Sequence, residues 1–219
     1  MISLAEENYL KHIYKIHESS GTMVSTSALA ESLKVSAASV TDFVKKMAIK
    51  KLVGYEKSKG VQLTEEGRQI ALLIIRKHRI WEVWLVEKLG FKWDEVHDIA
   101  EQLEHVQSVD LIEQLDKHLG YPKTDPHGDL IPDAKGKFAK NSSKPLLQCT
   151  KGDKVKFTGV AEHSNNFLQY LTKNNLSLGD ELLVEAVEEF DQTFSVKINR
   201  KEKKTFSKQV VKNLLVVPI

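Results

Sequence analysis

Cysteine occurs once in this chain of 219 residues, at Cys149, so no internal disulfide can form and the expected setting is the reducing cytoplasm. Long apolar runs are missing too. Stretches such as Ile70–Ile75 fall far short of the roughly 20 residues needed to span a bilayer, and no membrane partner is expected. The opening MISLAEENYL lacks a basic segment followed by an apolar core, so no secretory leader is expected. A large excess of either charge is absent: 32 Lys/Arg against 30 Asp/Glu leave +2, which by itself names no partner. No internal repeat is visible. With 41% hydrophobic and 28% charged residues, the composition excludes a disordered chain and fits a globular one.

The charge is unevenly distributed along the chain. Residues 1–80 carry 13 Lys/Arg and 8 Asp/Glu, residues 81–130 carry 4 and 12, and residues 131–219 carry 15 and 10. A basic first third suits a polyanion, and an acidic middle suits cations.

In the first third, Tyr9, Leu10, Ile13, Tyr14 and Ile16 recur at close to helical spacing, and Gly21 ends that helix. Ser25 or Ser27 can cap a second helix, and Ser36 opens a third running SAASVTDFVKKMAIKKL. Leu52–Tyr55 and Val61–Leu63, joined by EKSKG, read as a hairpin, after which Thr64 starts a long helix. A helix–turn–helix followed by a hairpin is the layout of a winged helix, whose second helix enters the DNA major groove. The leading residues of that helix, Ser36, Ala38, Ser39, Thr41 and Asp42, are small or hydrogen-bonding and permit close approach to base edges and phosphates. Val40, Phe43, Val44 and Met47 fall on the core side. Lys45 and Lys46, with Lys57 and Lys59 at the hairpin tip, are placed to neutralise phosphates. The same layout can also serve as a protein-interaction module.

Trp93–Gly120 reads as a second helical segment, and Tyr121–Lys151, punctuated by DPHGDLIP and NSSKP, as a linker. From Lys154 the period falls to two in KVKFTGVA, ELLVEAV, FSVKI and LLVVP, with the amphipathic helix NNFLQYLTKN between strands. That pattern predicts a small SH3-like β-barrel.

Metal chemistry points to the acidic middle. Glu101, Glu104 and His105 form E-x-x-E-H, which on a helix projects from one face, and His97 lies one turn earlier. His78 and Glu82 form a further i, i+4 pair on the preceding helix. Carboxylates and imidazoles without a thiolate suit Mn(II) or Fe(II) better than softer ions. Paired Glu and E-x-x-H motifs also build carboxylate-bridged di-metal enzymes, but those need a four-helix bundle, and here the N-terminal helices belong to the winged unit.

The segments ENYLKHIY, SAASVTDFVKKM, RKHRIWEVWL, VHDIAEQLEH and DPHGDLIP, with the β-rich tail, resemble the diphtheria toxin repressor family of metal-dependent transcriptional regulators over nearly the whole chain. The resemblance implies a mainly α protein with a small β domain, not an enzyme. Its parts would be a winged-helix DNA-binding domain (1–72), a helical metal-binding and dimerisation domain (73–140), a linker (141–151) and an SH3-like domain related to ferrous-iron-transport accessory proteins (152–219). It further implies a homodimer on a palindromic operator in double-stranded DNA. By position, Glu101, Glu104 and His105 correspond to primary-site ligands, and Glu101 stands where iron-responsive members carry Cys and manganese-responsive members Glu. Mn(II) is therefore the expected metal, with Fe(II) the alternative. Asn8 stands where the family supplies Asp or Met, and its amide oxygen can still donate. Lys11 stands where some manganese-responsive members have Glu. His78, Glu82 and His97 match ancillary ligands, Asp125 and His127 match further ligands in the linker, and His163 falls where the C-terminal domain lends a carboxylate. The expected mechanism is a metal that fixes the orientation of two winged heads; a metal-independent winged-helix regulator is the alternative.

Overall fold

The computed structural model describes residues 2–219. They form two compact units: residues 2–78, Glu101–Glu113 and Pro132–Phe138 in the first, and Arg79–Ala100, Gln114–Ile131 and Ala139–Ile219 in the second. The boundary expected at 72/73 falls inside one long helix.

The first unit begins with a capping box. Ser3 accepts from Glu6 N at 3.3 Å while the Glu6 carboxylate accepts from Ser3 N at 2.9 Å, starting α1 (Leu4–Ser20), which Gly21 ends in the left-handed region. Ser25 caps α2 (Thr26–Leu33), Lys34 turns the chain at φ 55°, and Ser36 caps α3 (Ala37–Ile49). The strands β1 (Val53–Glu56) and β2 (Gly60–Leu63) pair antiparallel, and Val61 also bridges to Val24. Gly60, at φ 113°, lies against the Val24 carbonyl where a β-carbon would collide. Leu10, Ile13, Leu29, Val40, Val44, Met47, Val61 and Leu72 close one core, so α3 turns Val40, Val44 and Met47 inward and leaves its polar face outside. Thr64 receives Gly67 N at 3.1 Å and starts α4 (Glu65–Leu89), which contributes to both units.

Trp93–Gly120 does not form one helical run. It divides into α5 (His97–Leu103) and α6 (Val109–His118), leaving Glu104 and His105 in the turn between them. Ser108 accepts from Leu111 N at 3.3 Å and so opens a new helix. Apolar period does not register this, because a hydroxyl cap offers the backbone a competing partner.

In the second unit, β3 (Lys144–Pro145), β4 (Lys154–Val160), β5 (Glu181–Val187), β6 (Phe194–Ile198), β7 (Glu202–Phe206) and β8 (Leu214–Pro218) form a six-stranded antiparallel sheet in the order β3-β8-β4-β5-β6-β7. The helices α7 (Asn165–Lys173) and α8 (Lys208–Val211) complete the SH3-like domain. Phe157, Phe194, Phe206, Leu171 and Val216 lie at its centre. Two expectations are corrected here. β7 is absent from the sequence reading because its EKKTF is dominated by charge, which suits an edge strand. Residues 144–149, read as linker, belong to this domain: β3 pairs with β8, and Leu146 and Cys149 enter the core.

The DPHGDLIP segment is not a linker either. Asp125 Oδ1 accepts from His127 N at 2.8 Å and Asp129 N at 3.0 Å, Thr124 bridges Leu130, and Val160 N donates to the His127 carbonyl at 2.9 Å. Gly128 permits this approach: at φ 89°, its missing β-carbon would overlap the Thr158 carbonyl. Among the described residues no helix is long and apolar enough to cross a membrane.

Gly128→Ala should therefore destabilise the protein by more than its backbone strain. Gly152, at φ 97° with open space around it, is the control, since Ala there carries only the left-handed penalty of about 1–2 kcal/mol. Gly128→Ala should cost a further ~1–3 kcal/mol of steric conflict, read as the difference between the two denaturation midpoints. Equal midpoints would show that β4 is not held this closely.

Candidate metal centre and nucleic-acid interface

The inward face of α1 bears three ionisable residues. Glu6 takes Lys50 Nζ at 2.6 Å, Glu7 faces His105 and Gln107, and Lys11 is wholly buried. Lys11 Nζ donates to Glu101 Oε1 at 2.7 Å and to Glu104 Oε1 at 2.5 Å. Glu104 Oε2 in turn meets His78 Nδ1 at 2.6 Å, and His78 Nδ1 stands 4.0 Å from Glu101 Oε1. His105 directs Nδ1 to Glu7 Oε2 at 2.6 Å, and its Nε2 lies 3.8 Å from Glu104 Oε1. A carboxylate only accepts, so Glu7 fixes the proton on Nδ1 and leaves the Nε2 lone pair on the Glu104 side. Burial alone would raise the Glu101 carboxyl, but the adjoining Lys11 ammonium holds it down at about 2.

Of the residues expected in the primary set, Glu101, Glu104 and His105 thus come together, and His78 joins them through Glu104. Asn8 lies one turn before Lys11 on α1, and its Oδ1 is buried without a hydrogen-bond partner among the described residues. An orphaned carbonyl oxygen of this kind fits a cation-binding role. Glu7 and the buried position of Lys11 escape sequence reasoning. Neither belongs to the E-x-x-E-H motif, and the only available signal was their ionisable character on an otherwise apolar helical face.

The second unit holds another buried set, Glu82, Asp125 and His127, whose donor atoms lie within 4.8 Å of one another. His127 Nε2 lies 2.8 Å from the Trp93 carbonyl, an obligate acceptor, so Nε2 carries the proton. Its Nδ1 then faces Glu82 Oε2 at 3.7 Å and Asp125 Oδ1 at 3.9 Å. An imidazole nitrogen that can exchange its proton for a metal, set beside two buried carboxylates, fits a divalent cation between them. Proton affinity reflects the same crowding. Burial, with Asp129 and Glu82 nearby, pushes the Asp125 carboxyl up, and Glu82 and Asp125 push the His127 imidazole up even though burial opposes its charge. Arg79 reaches Asp125 Oδ2 at 3.6 Å and Asp129 Oδ2 at 2.8 Å. His97 Nδ1 lies 3.4 Å from Glu82 Oε1. His163 does not join the three: it is half-exposed, edge-on to His127 with centroids 5.4 Å apart, and 3.7 Å from Asp129.

On the winged face, Ala38, Ser39, Asp42, Lys45 and Lys46 are exposed on α3, and Lys57 and Lys59 lie exposed in the loop between β1 and β2. Two expected contact residues use their hydroxyls internally. Ser36 caps Ser39 N at 3.1 Å, and Thr41 Oγ1 donates to the Ala37 carbonyl at 2.9 Å. Lys59 rests on Glu56 at 2.7 Å, an exposed pair that costs little to exchange for a phosphate.

Comparison with known proteins agrees with this division. Residues 1–61 match the family described as iron dependent repressor, N-terminal DNA binding domain. Residues 64–133 match iron dependent repressor, metal binding and dimerisation domain, and residues 144–218 match the FeoA domain. The iron-dependent repressor IdeR of Mycobacterium tuberculosis is 38% identical over 126 residues, covering 58% of this chain and 54% of the relative. The diphtheria toxin repressor of Corynebacterium diphtheriae is 34% identical over 126 residues, covering 58% and 55%. The chain thus spans about half the length of the curated relatives it matches. Among solved structures, a manganese-dependent transcriptional repressor in complex with manganese shares 36% identity at a TM-score of 0.88, covering 98% of this chain and all 100% of that one. The manganese regulator SloR shares 32% at 0.75, covering 98% of each. With the DNA-binding, metal-binding and dimerisation, and FeoA domains matched in order, and a solved manganese-dependent repressor alike over its whole length, the chain belongs to the diphtheria toxin repressor family of metal-dependent transcriptional regulators.

Proposed function

We propose that this protein is a cytoplasmic, metal-activated transcriptional repressor that senses Mn(II), with Fe(II) the alternative, and controls metal-uptake genes as a homodimer on a palindromic operator. The observation that carries this reading is His127, whose protonated Nε2 is fixed by the Trp93 carbonyl while Nδ1 faces the buried Glu82 and Asp125 carboxylates. Glu101, Glu104, His105 and Asn8 would form the other metal set, with Glu7 orienting His105. Both sets offer oxygen and nitrogen, and the lone Cys149 is buried among the apolar residues of the SH3-like domain. Such donors favour Mn(II) and Fe(II) over thiolate-preferring ions, and the bound metal supplies positive charge and fixed geometry rather than a reaction.

The surface of the first unit supports self-association. Ile2, Ile70, Leu73, Ile74, Val109 and Ile112 line a mainly apolar cleft of about 530 Å³, with Leu73 43% and Val109 73% exposed. An apolar patch of this kind suits a second copy of the chain related by a two-fold axis. Two copies present two α3 helices and two lysine-bearing wings. Half-sites on DNA demand about one helical turn or a multiple between them, so residues that tie α1 to Glu101, Glu104 and His105 can select the competent arrangement. DNA must then raise metal affinity by the same factor as metal raises DNA affinity. Operator binding measured with and without Mn(II) tests the whole reading; affinity unaffected by metal would instead favour a metal-independent regulator.

Glu104→Gln keeps the shape of a fully buried side chain but removes its charge. It should abolish Mn(II)-stimulated operator binding, followed by fluorescence anisotropy, while sedimentation still reports the dimer. Normal stimulation would remove this position from the metal set.

The double variant Lys57→Ala/Lys59→Ala should weaken binding on every DNA sequence. If each lysine of both protomers neutralises one phosphate, the slope of log affinity against log salt for the dimer should flatten by about 4. An unchanged slope would mean that the β1–β2 loop does not touch DNA.

Glu101→Cys should move activation away from Mn(II) towards Fe(II) and Co(II), because a thiolate is a poor partner for a hard cation. Operator affinity at matched free metal under anaerobic conditions gives the order of activation. The same order in variant and wild type would shift the basis of selectivity to Glu82, Asp125 and His127.

A further inference from the structure

Lys11 is the one side chain of the first unit's buried charge cluster that cannot be a metal ligand, since its ammonium has three donors and no acceptor. It is 0% exposed, and its Nζ touches Glu101 Oε1 at 2.7 Å and Glu104 Oε1 at 2.5 Å. Oxygen donors sit about 2.0–2.6 Å from the divalent cations they hold. A metal bound to these same two oxygens would therefore lie closer to Nζ than two cations can approach in a buried setting. Glu104, also 0% exposed, has its other oxygen occupied by His78 at 2.6 Å. The carboxylates expected to attract metal are thus already neutralised from within the chain.

Resting on the reading that Glu101 and Glu104 bind metal, we propose that Lys11 is a resident cation which a divalent metal must displace, so that the first-unit site works by ion exchange and not by filling of an open site. Lys11 sets the metal threshold of this site, and the displaced ammonium leaves on its four-carbon stem. At the Glu82–Asp125–His127 set the facing cation is Arg79, which lies 3.6 Å from Asp125 Oδ2 and is turned to Asp129 Oδ2 at 2.8 Å, a looser hold than that of Lys11 on Glu101 and Glu104. The exchange also makes Lys11 a reporter of the metal-free state, because it holds α1 to the turn after α5 only while metal is absent.

The test uses the full-length protein with Mn(II) as the probe, counting free Mn(II) by its electron paramagnetic resonance signal. His127→Ala weakens the second-unit set, leaving the first-unit site to be read against this background. Lys11→Gln, a neutral donor, and Lys11→Met, neutral and apolar, are compared with Lys11→Arg, which keeps the charge. Both neutral variants should bind Mn(II) at the first-unit site at least tenfold tighter than the Lys11 parent, and Lys11→Arg should not. In Lys11→Gln and Lys11→Met the metal-free protein should also melt at a lower temperature, with a larger Mn(II)-induced rise in the melting midpoint. First-unit affinity in Lys11→Gln equal to that of the parent overturns the proposal while leaving the metal reading intact. Absence of any Mn(II) binding in all three Lys11 variants and in the parent overturns both.

Discussion

Three ionisable side chains point inward from α1, and each finds its counter-charge at a distant place in the chain: Glu6 at Lys50, Glu7 at His105, and Lys11 at Glu101 and Glu104. A buried charge left alone costs about 3–5 kcal/mol, so these contacts are constraints on the fold as much as stabilising additions. The pairs of Glu7 and Lys11 oblige α1, which belongs to the winged unit by its apolar face, to stay against α5 and the turn that follows it, while Glu6 ties it to the end of α3. Any event that alters the charge between Glu101 and Glu104 must therefore be felt by the helix on which α2 and α3 pack. The core residues Leu10 and Ile13 and the ionic residues Glu7 and Lys11 alternate on one helix, which is how the buried charge cluster and the winged unit share a support.

The second unit solves the same problem with hydrogen bonds. Asp125 and His127 are buried, and the loop carrying them is rigid because its own backbone donors are returned to Asp125 and its carbonyl at His127 receives Val160 N. The tautomer of His127 is decided by a backbone oxygen, at Trp93, which also packs on the SH3-like core and donates its indole N–H to Thr172 at 3.0 Å. A main-chain group thus controls the ligand character of a side chain. The SH3-like domain is connected to this site through contacts of β4 and Trp93, where the close approach of Gly128 admits no side chain.

Much of this was legible in the residues themselves. Period, caps and turn residues are local properties. Ser25 and Ser36 start helices where hydroxyls precede apolar periodic runs, and Gly21 stops one. The order of winged helix, helical middle and β-rich tail, the inward stripe of Val40, Val44 and Met47, and the exposed lysines of the β1–β2 loop all follow from spacing of two and of 3.6. E-x-x-E-H together with His78, Glu82 and His97 pointed to metal chemistry, and the family resemblance extended that expectation to Asp125 and His127.

What the sequence could not decide was pairing. That His78 meets Glu104, 26 residues further on, depends on which loop the fold brings to it, and an i, i+4 spacing with Glu82 does not reveal it. That Lys11 is buried between two carboxylates, and that Glu7 orients His105, involves positions some 90 to 100 residues apart, beyond the reach of any local pattern. The edge strand β7 and the pairing of Lys144–Pro145 with β8 were hidden for the same reason: a charged or proline-containing segment becomes a strand only when a neighbouring strand supplies its hydrogen bonds. The sequence by itself determined the local elements and the chemical inventory, because these depend on nearest neighbours along the chain. The tertiary structure alone decided which charges neutralise which, because burial removes water as a partner and makes each ionisable group depend on whatever the fold brings to it.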